Sequence, residues 1–216
     1  MRGHRVLSTV RITLLPDLES FEMRRYVDTE TTGLHRAGGD ELVEVAVIDD
    51  CGNVLLSTLV NPGLGIPLEA TAIHGITDEM VAAAPPPETA RTLVAALCLG
   101  HEVVIYNADF DCGFLDLRSA ASVECCMRRF ARYHGEWDEL RAGYRWKRLK
   151  FAADYAGFEW PLGGAHRAAA DAMACRHVWR WLDEQEAARL GGRSHDCVAD
   201  RLEIKTLLEE GALAHQ

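Results

Sequence analysis

The sequence predicts an α/β fold in which a sheet is covered by helices. Two observations carry this. Strand-like runs cluster early in the chain and helical segments alternate later. The run "LVEVAVI" (42–48) is also apolar on both of its alternating faces, which suits a strand buried from both sides.

Taken in order, residues 1–22 read poorly as part of a domain, and the regular pattern begins at Met23. The expectation is a loose, disordered extension over 1–22, with Met23 able to serve as the start. A domain over 23–190 and a tail of unassigned role over 191–216 would follow. In "YVDTETTGL" (26–34) a short apolar run ends at Asp28. Residues 41–60 read as a hairpin. Leu42, Ala46 and Ile48 take one face and Val43, Val45 and Val47 the other, "DDCGN" (49–53) turns the chain, and "VLLSTLV" (54–60) returns. Asn61-Pro62-Gly63 ends it, and 63–87 reads as loops and short helical turns closed by three prolines. A helix is expected from about Glu88 to Leu97 and a buried strand over "EVVIY" (102–106). A second helix is expected over 108–120, with Phe110, Phe114, Leu115 and Leu117 as its apolar members. A short segment near 123–125, a basic region over 126–150 and a helix near 149–156 follow. The last clear element is a long helix from Arg167 to about Ala188, ended by Gly191-Gly192.

The chain has 216 residues, of which 48% are hydrophobic, enough for one well-filled core. Lys and Arg number 23 against 33 Asp and Glu, a net charge of −10. That balance argues against a sequence-independent duplex-DNA binder with a broad basic face. It leaves room for a protein that grips a strand end locally, where bound metal ions offset the deficit. The cysteines (51, 98, 112, 125, 126, 175 and 197) are odd in number and form no C-x-x-C, so neither a disulfide framework nor a zinc ribbon is expected. Free thiols suggest a reducing, cytoplasmic compartment. No apolar run reaches the roughly 18 residues that a membrane helix needs, so no membrane partner is expected. "VLSTVRITLLP" carries Arg11 in its middle, which argues against a signal peptide.

The acids carry the functional signal. Asp28 and Glu30 are two apart, so in a strand both face one way at a strand end, where open α/β sheets place their sites. Like charges this close raise each other's pKa unless a cation intervenes. A solvated turn would show the same pair, so the pair alone decides nothing. Asp111, in "NADFDCGFL" (107–115), again lies where a strand gives way to a helix, flanked by Phe110 and Phe114. A cap or first-turn acid is the simpler reading for Asp109, and Asp116 reads as surface. Asp171 precedes Ala174, Cys175, Val178, Trp181 and Leu182, which form one helical stripe, and it shares their face. A core-facing carboxylate costs several kcal/mol unless a metal ion or an arginine satisfies it. His166 precedes Asp171 by five residues, about 140° away on a regular helix. The two converge only if His166 lies before the helix, in a lead-in that Gly163-Gly164 makes flexible, and there it suits a general base. His177 and His74 read at first sight as ordinary structural histidines.

Together, "DTETTG", "NADFDCGFL" and "HRAAAD" resemble the three motifs of the DEDDh (DnaQ-like) family of 3′–5′ exonucleases, over roughly residues 24–188. The histidine spacing separates this class from its tyrosine-bearing sister group. The resemblance implies an RNase H-like fold with a mixed five-stranded sheet flanked by helices on both sides. It also implies two divalent ions, Mg²⁺ or Mn²⁺. Asp28 would bridge both, Glu30 and Asp171 would complete one, and Asp111 would hold the other, partly through water. The residue types agree independently, because four carboxylates without a cysteine ligand make a hard oxygen site that suits those ions and not zinc. His166 would take the proton of the attacking water, so the rate is expected to rise with pH as the imidazole becomes neutral.

The same resemblance places Leu34 as a wedge at the 3′-terminal base, and Ile73 and His74 of "AIHGI" (72–76) in the terminal nucleotide pocket. Phe110 and Asn107 join them, and Thr31 would contact the terminal 3′-OH. For Leu34, Ile73 and Phe110, core packing is an equal alternative. Residues 126–150 set Arg128, Arg129, Arg132, Arg141, Arg145, Lys147, Arg148 and Lys150 against Glu136, Asp138 and Glu139, with Tyr133, Trp137, Tyr144 and Trp146 between them. Basic and aromatic residues together suit a single strand; a solvated helix face is the alternative. The expected activity is a metal-dependent 3′–5′ exodeoxyribonuclease acting on single-stranded 3′ ends in proofreading or repair, with a polymerase as a candidate partner. Three alternatives stand: a 3′–5′ exoribonuclease, an inactive nucleic-acid-binding module of the same fold, and an RNase H-like endonuclease, which the histidine motif disfavours.

Overall fold

The computed structural model describes residues 24–161 and 165–190. The expectations for the 1–22 extension, the Met23 start, the 191–216 tail, the Gly163-Gly164 lead-in and the Gly191-Gly192 stop lie outside the described residues.

β1 (Arg25–Thr31), β2 (Leu42–Asp49) and β3 (Val54–Leu59) form an antiparallel meander. All of β2 is buried, as two covered faces require. Its turn is closed by Asp49, whose carboxylate accepts the backbone N–H (2.8 Å) and side-chain amide (2.7 Å) of Asn53. Gly52 takes the left-handed φ of 86° that this tight connection needs. The chain then crosses over through α1 (Leu68–His74), α2 (Asp78–Val81) and α3 (Pro87–Cys98) and enters β4 (Glu102–Ile105), parallel to β1. A single turn, α4 (Ala108–Asp111), leads to β5 (Ser122–Cys125), parallel to β4. The result is one mixed five-stranded sheet in the order β3-β2-β1-β4-β5. α5 (Cys126–His134), the small ribbon of β6 (Trp137–Asp138) and β7 (Gly143–Tyr144), α6 (Leu149–Tyr155) and α7 (Ala168–Arg189) complete the fold.

Helices cover both faces of the sheet. Tyr26, Ile48 and Val104 pack with Phe130 of α5, Ala152 of α6 and Cys175, Val178 and Leu182 of α7. Val27, Val45, Val47, Val103 and Ile105 pack with Ala90, Val94 and Cys98 of α3 on the other side. Among the described residues no helix is long and apolar enough to cross a membrane.

Three sequence expectations need correction. Residues 108–120 do not form one helix. The chain opens at Gly113, where helix propensity is poorest, and Phe114, Leu115 and Leu117 reach the α3-side core from a looser path. Leu42 does not share a face with Ala46 and Ile48. The β1–β2 register steps from Glu30 opposite Glu44 to Thr31 opposite Leu42, and this bulge at Val43 moves Leu42 into the Val27 and Val45 cluster. On α7, Trp179 is buried and Trp181 only partly so, because the helix packs on the sheet and on α5 and α6 at once.

Candidate active site

β1 delivers the first two acids. Tyr26 faces α7 and Val27 faces α3, so strand alternation sends Asp28 and Glu30 to the α7 side. Asp111 arrives from α4 at the end of the neighbouring β4. It is buried, and its Oδ1 accepts the Thr29 hydroxyl at 2.7 Å. Asp171 lies in the first turn of α7, also buried, and its Oδ1 accepts the His166 backbone N–H at 3.2 Å. His166 sits before the helix with a left-handed φ of 69°, a sparsely populated conformation for a side-chain-bearing residue. As a result Glu30, His166 and Asp171 each bring a ligand-capable atom within 4.8 Å of one another.

The electrostatics describe a site short of positive charge. Burial, then repulsion from Asp111, Asp171, Glu30 and Glu44, pushes the Asp28 carboxyl well above the usual range. Burial and the charges of Asp171, Glu44 and Asp111 raise Glu30 to about 8, with Arg167 opposing. Burial raises Asp111 to about 7 despite the Thr29 hydrogen bond. Asp171 also rises through burial, held back by the His166 N–H. Among the described residues no arginine pairs with Asp171.

Arg167 is engaged elsewhere, by a residue that the sequence reading passed over. Glu44, 3% exposed, accepts Arg167 Nη2 at 2.6 Å and Nε at 3.0 Å, and the backbone N–H of Ala168 at 3.0 Å. It therefore clamps the start of α7, with His166 and Asp171 on either side, to the centre of the sheet. The available signal was one charge inside the otherwise apolar "LVEVAVI".

The remaining candidates divide between two cavities. One, of about 350 Å³, is lined by Glu30, Thr31, Leu34, Ile73, His74 and Phe110 among others. Leu34 is 71% and Ile73 59% exposed, so neither is a core residue. Phe110 is partly buried, with its ring centroid 5.2 Å from that of Phe114. The Thr31 hydroxyl donates to the Gly33 carbonyl at 2.6 Å. His74 is buried, its Nδ1 accepts the Ile76 N–H at 3.0 Å, and burial pushes its pKa down. Asn107 instead lines the second cavity, of about 450 Å³, with Tyr106, Trp146, Arg148, His166 and Asp171. His177 bonds the Ala156 carbonyl at 2.9 Å and plays no part in the site.

Most cations of the basic region are paired, some with acids of the region itself and some with acids from other elements. Arg128 pairs with Asp109, and Arg129 with Asp183 (2.8 Å) and Glu186 (2.6 Å). Arg141 and Arg145 both reach Asp138, Lys147 pairs with Glu136, and Lys150 pairs with Asp154. Asp116 pairs with Arg118 at the surface. Of the eight cations only Arg132 and Arg148 have no carboxylate partner among the described residues, and only Arg148 lines the second cavity.

Comparison with known proteins identifies a family and relatives. The RNase T family model, described as Exonuclease, matches residues 26–178. The chain is 44% identical over 179 residues to the uncharacterized exonuclease CP81 of Escherichia phage 186, covering 74% of this chain and 86% of the relative. It is 29% identical over 198 residues to a DNA polymerase III subunit epsilon of Treponema pallidum, covering 85% of this chain and 86% of the relative. A solved structure of exonuclease X in complex with 5′ overhanging duplex DNA superposes with a TM-score of 0.55. It is 28% identical, over 80% of this chain and 95% of that one.

Proposed function

The chain belongs to the exonuclease family matched over residues 26–178, with its RNase H-like fold. From that premise we propose a metal-dependent 3′–5′ exonuclease that releases nucleoside monophosphates from the 3′ end of single-stranded DNA. The observation that carries this reading is the convergence of Asp28, Glu30, Asp111 and Asp171 with His166 where the two cavities meet the acids.

The acids fit divalent ions. Five carboxylates, including Glu44, crowd against the single guanidinium of Arg167 among the described residues, and every carboxylate donor is a hard oxygen. Asp28, Glu30, Asp111 and Asp171 would hold two ions, Mg²⁺ or Mn²⁺, which supply an activated water and neutralise charge at the departing 3′-oxygen. His166, beside Glu30 and Asp171, accepts the proton of the attacking water. The 350 Å³ cavity takes the terminal nucleotide, with Leu34, Ile73 and Phe110 against its base and the Thr31 backbone at its 3′-OH. His74 backs the same cavity, and Asn107 meets the next nucleotide. The exonuclease X neighbour, solved with DNA, supports DNA as the substrate class. Likeness to a polymerase subunit supports a polymerase partner, which co-purification with a replicative polymerase tests.

Incubation of 5′-labelled single-stranded DNA and RNA of matched sequence with Mg²⁺ or Mn²⁺, and with EDTA, tests the reading. A DNA ladder shortening from the 3′ end, absent in EDTA and absent with Asp28→Ala, is the expected result. Cleavage confined to RNA would move the assignment to an exoribonuclease, and internal cuts would overturn it.

A further inference from the structure

The second cavity runs from His166 and Asp171 outward past the segment 146–150. Its flanking lysines are committed, Lys147 to Glu136 and Lys150 to Asp154 (2.8 Å). Arg148 lines the same cavity, is exposed, and has no acidic partner among the described residues. Trp146 is 58% exposed and, among the described residues, stacks on no other ring. Trp160, which lines the same cavity, is fixed by its indole N–H to Asp154 at 2.9 Å. The segment is anchored, because the Tyr106 hydroxyl donates to the Lys147 carbonyl at 2.8 Å and ties it to the end of β4. One unpaired cation and one unstacked indole on an anchored backbone, opening onto the acids, make a site for a phosphate and a base. The volume, about 450 Å³, is at the lower end of ligand-pocket sizes.

Resting on the proposed exonuclease activity, we infer that this groove binds the nucleotides just 5′ of the scissile bond in a single strand, with Arg148 on their phosphate and Trp146 stacked on a base. Grip on the strand therefore comes from one guanidinium and one indole, and the wider basic region contributes little.

Binding of a 5′-labelled strand of about 12 nucleotides, within the span of one single-strand groove, is measured by anisotropy in EDTA across a salt series. Arg148→Gln should weaken binding about tenfold and reduce the slope of log affinity against log salt by about 0.7, the loss of one phosphate contact. Trp146→Ala should weaken binding about tenfold with the slope unchanged, as stacking requires. Arg132→Gln, outside the groove, should change neither. With metal present, Arg148→Gln should raise KM on the long strand about tenfold with kcat unchanged, and leave a dinucleotide substrate unaffected. Equal slopes for wild type and Arg148→Gln, or an Arg132→Gln effect as large as that of Arg148→Gln, overturns the inference. If wild-type protein shortens no strand, the exonuclease reading fails, while the salt slopes still decide the groove.

Discussion

At Glu44 one carboxylate does two jobs. It sits opposite Glu30 in the strand register, where like charges oppose each other, and it holds Arg167 and the Ala168 N–H. Both of its oxygens are taken up by Arg167 and the Ala168 N–H, which makes it a positioning residue. Glu44→Ala should lower kcat about 10–100-fold, the usual cost of losing a support of the reacting groups. Glu44→Gln, which keeps an acceptor for the Ala168 N–H, should recover part of it. A thermal melt run alongside separates the two effects: a large fall in kcat at unchanged folding is the expected signature. Asp28 gives the opposite test. Asp28→Asn should abolish cleavage and raise the melting temperature of metal-free protein by about 3 °C, because it replaces a carboxyl that must take up a proton to be buried beside four other acids with a side chain that is neutral in both states. A lower melting temperature would show that these charges do not oppose one another.

Among the elements, β1 decides the site, because its alternation aims Asp28 and Glu30 at α7 while Val27 and Thr29 turn away. That much was legible from the i, i+2 spacing alone, as were the meander and the long helix. The loop that follows depends on close approach: a Cβ on Gly33 would lie 2.5 Å from the Asp40 carboxylate, which accepts the His35 N–H at 2.8 Å. Gly33→Ala should therefore displace Asp40, shift Leu34 and raise KM several-fold, at a stability cost of about 1 kcal/mol measured by urea titration. The sequence was silent where distant elements decide the outcome. Glu44 becomes a clamp only through a partner 123 positions away. In the basic region Arg128 and Arg129 lose their free charge to Asp109, Asp183 and Glu186, which lie on other helices. Local composition could show neither. The bulge at Val43 was hidden because every residue around it is apolar and would suit either face.

For the whole molecule, the raised carboxyls link folding to pH and to metal. Glu30 (about 8) and Asp111 (about 7) keep protons in the folded state that the unfolded chain releases near pH 4. The folded state binds more protons, so this stabilisation is complete below about pH 4 and is lost as pH rises through about 8. Asp171, Glu44 and Arg167 face the same space, and Arg167 offsets only part of the repulsion. Metal-free protein should therefore lose about 5 °C or more in melting temperature between pH 5 and pH 8, roughly 2 kcal/mol, and a Glu30→Gln variant should lose less. Millimolar Mg²⁺ or Mn²⁺ should flatten the curve. A flat curve without metal would mean that the acids do not crowd one another.

The groups proposed to cut come from three separate stretches of chain: β1, α4 and the start of α7. A growing polypeptide halted before α7 holds three of the acids and neither His166 nor Asp171. On the proposed function, a fragment that stops before α7 therefore lacks the proton acceptor and one of the four acids, and the power to degrade a strand is among the last properties that the maturing chain acquires.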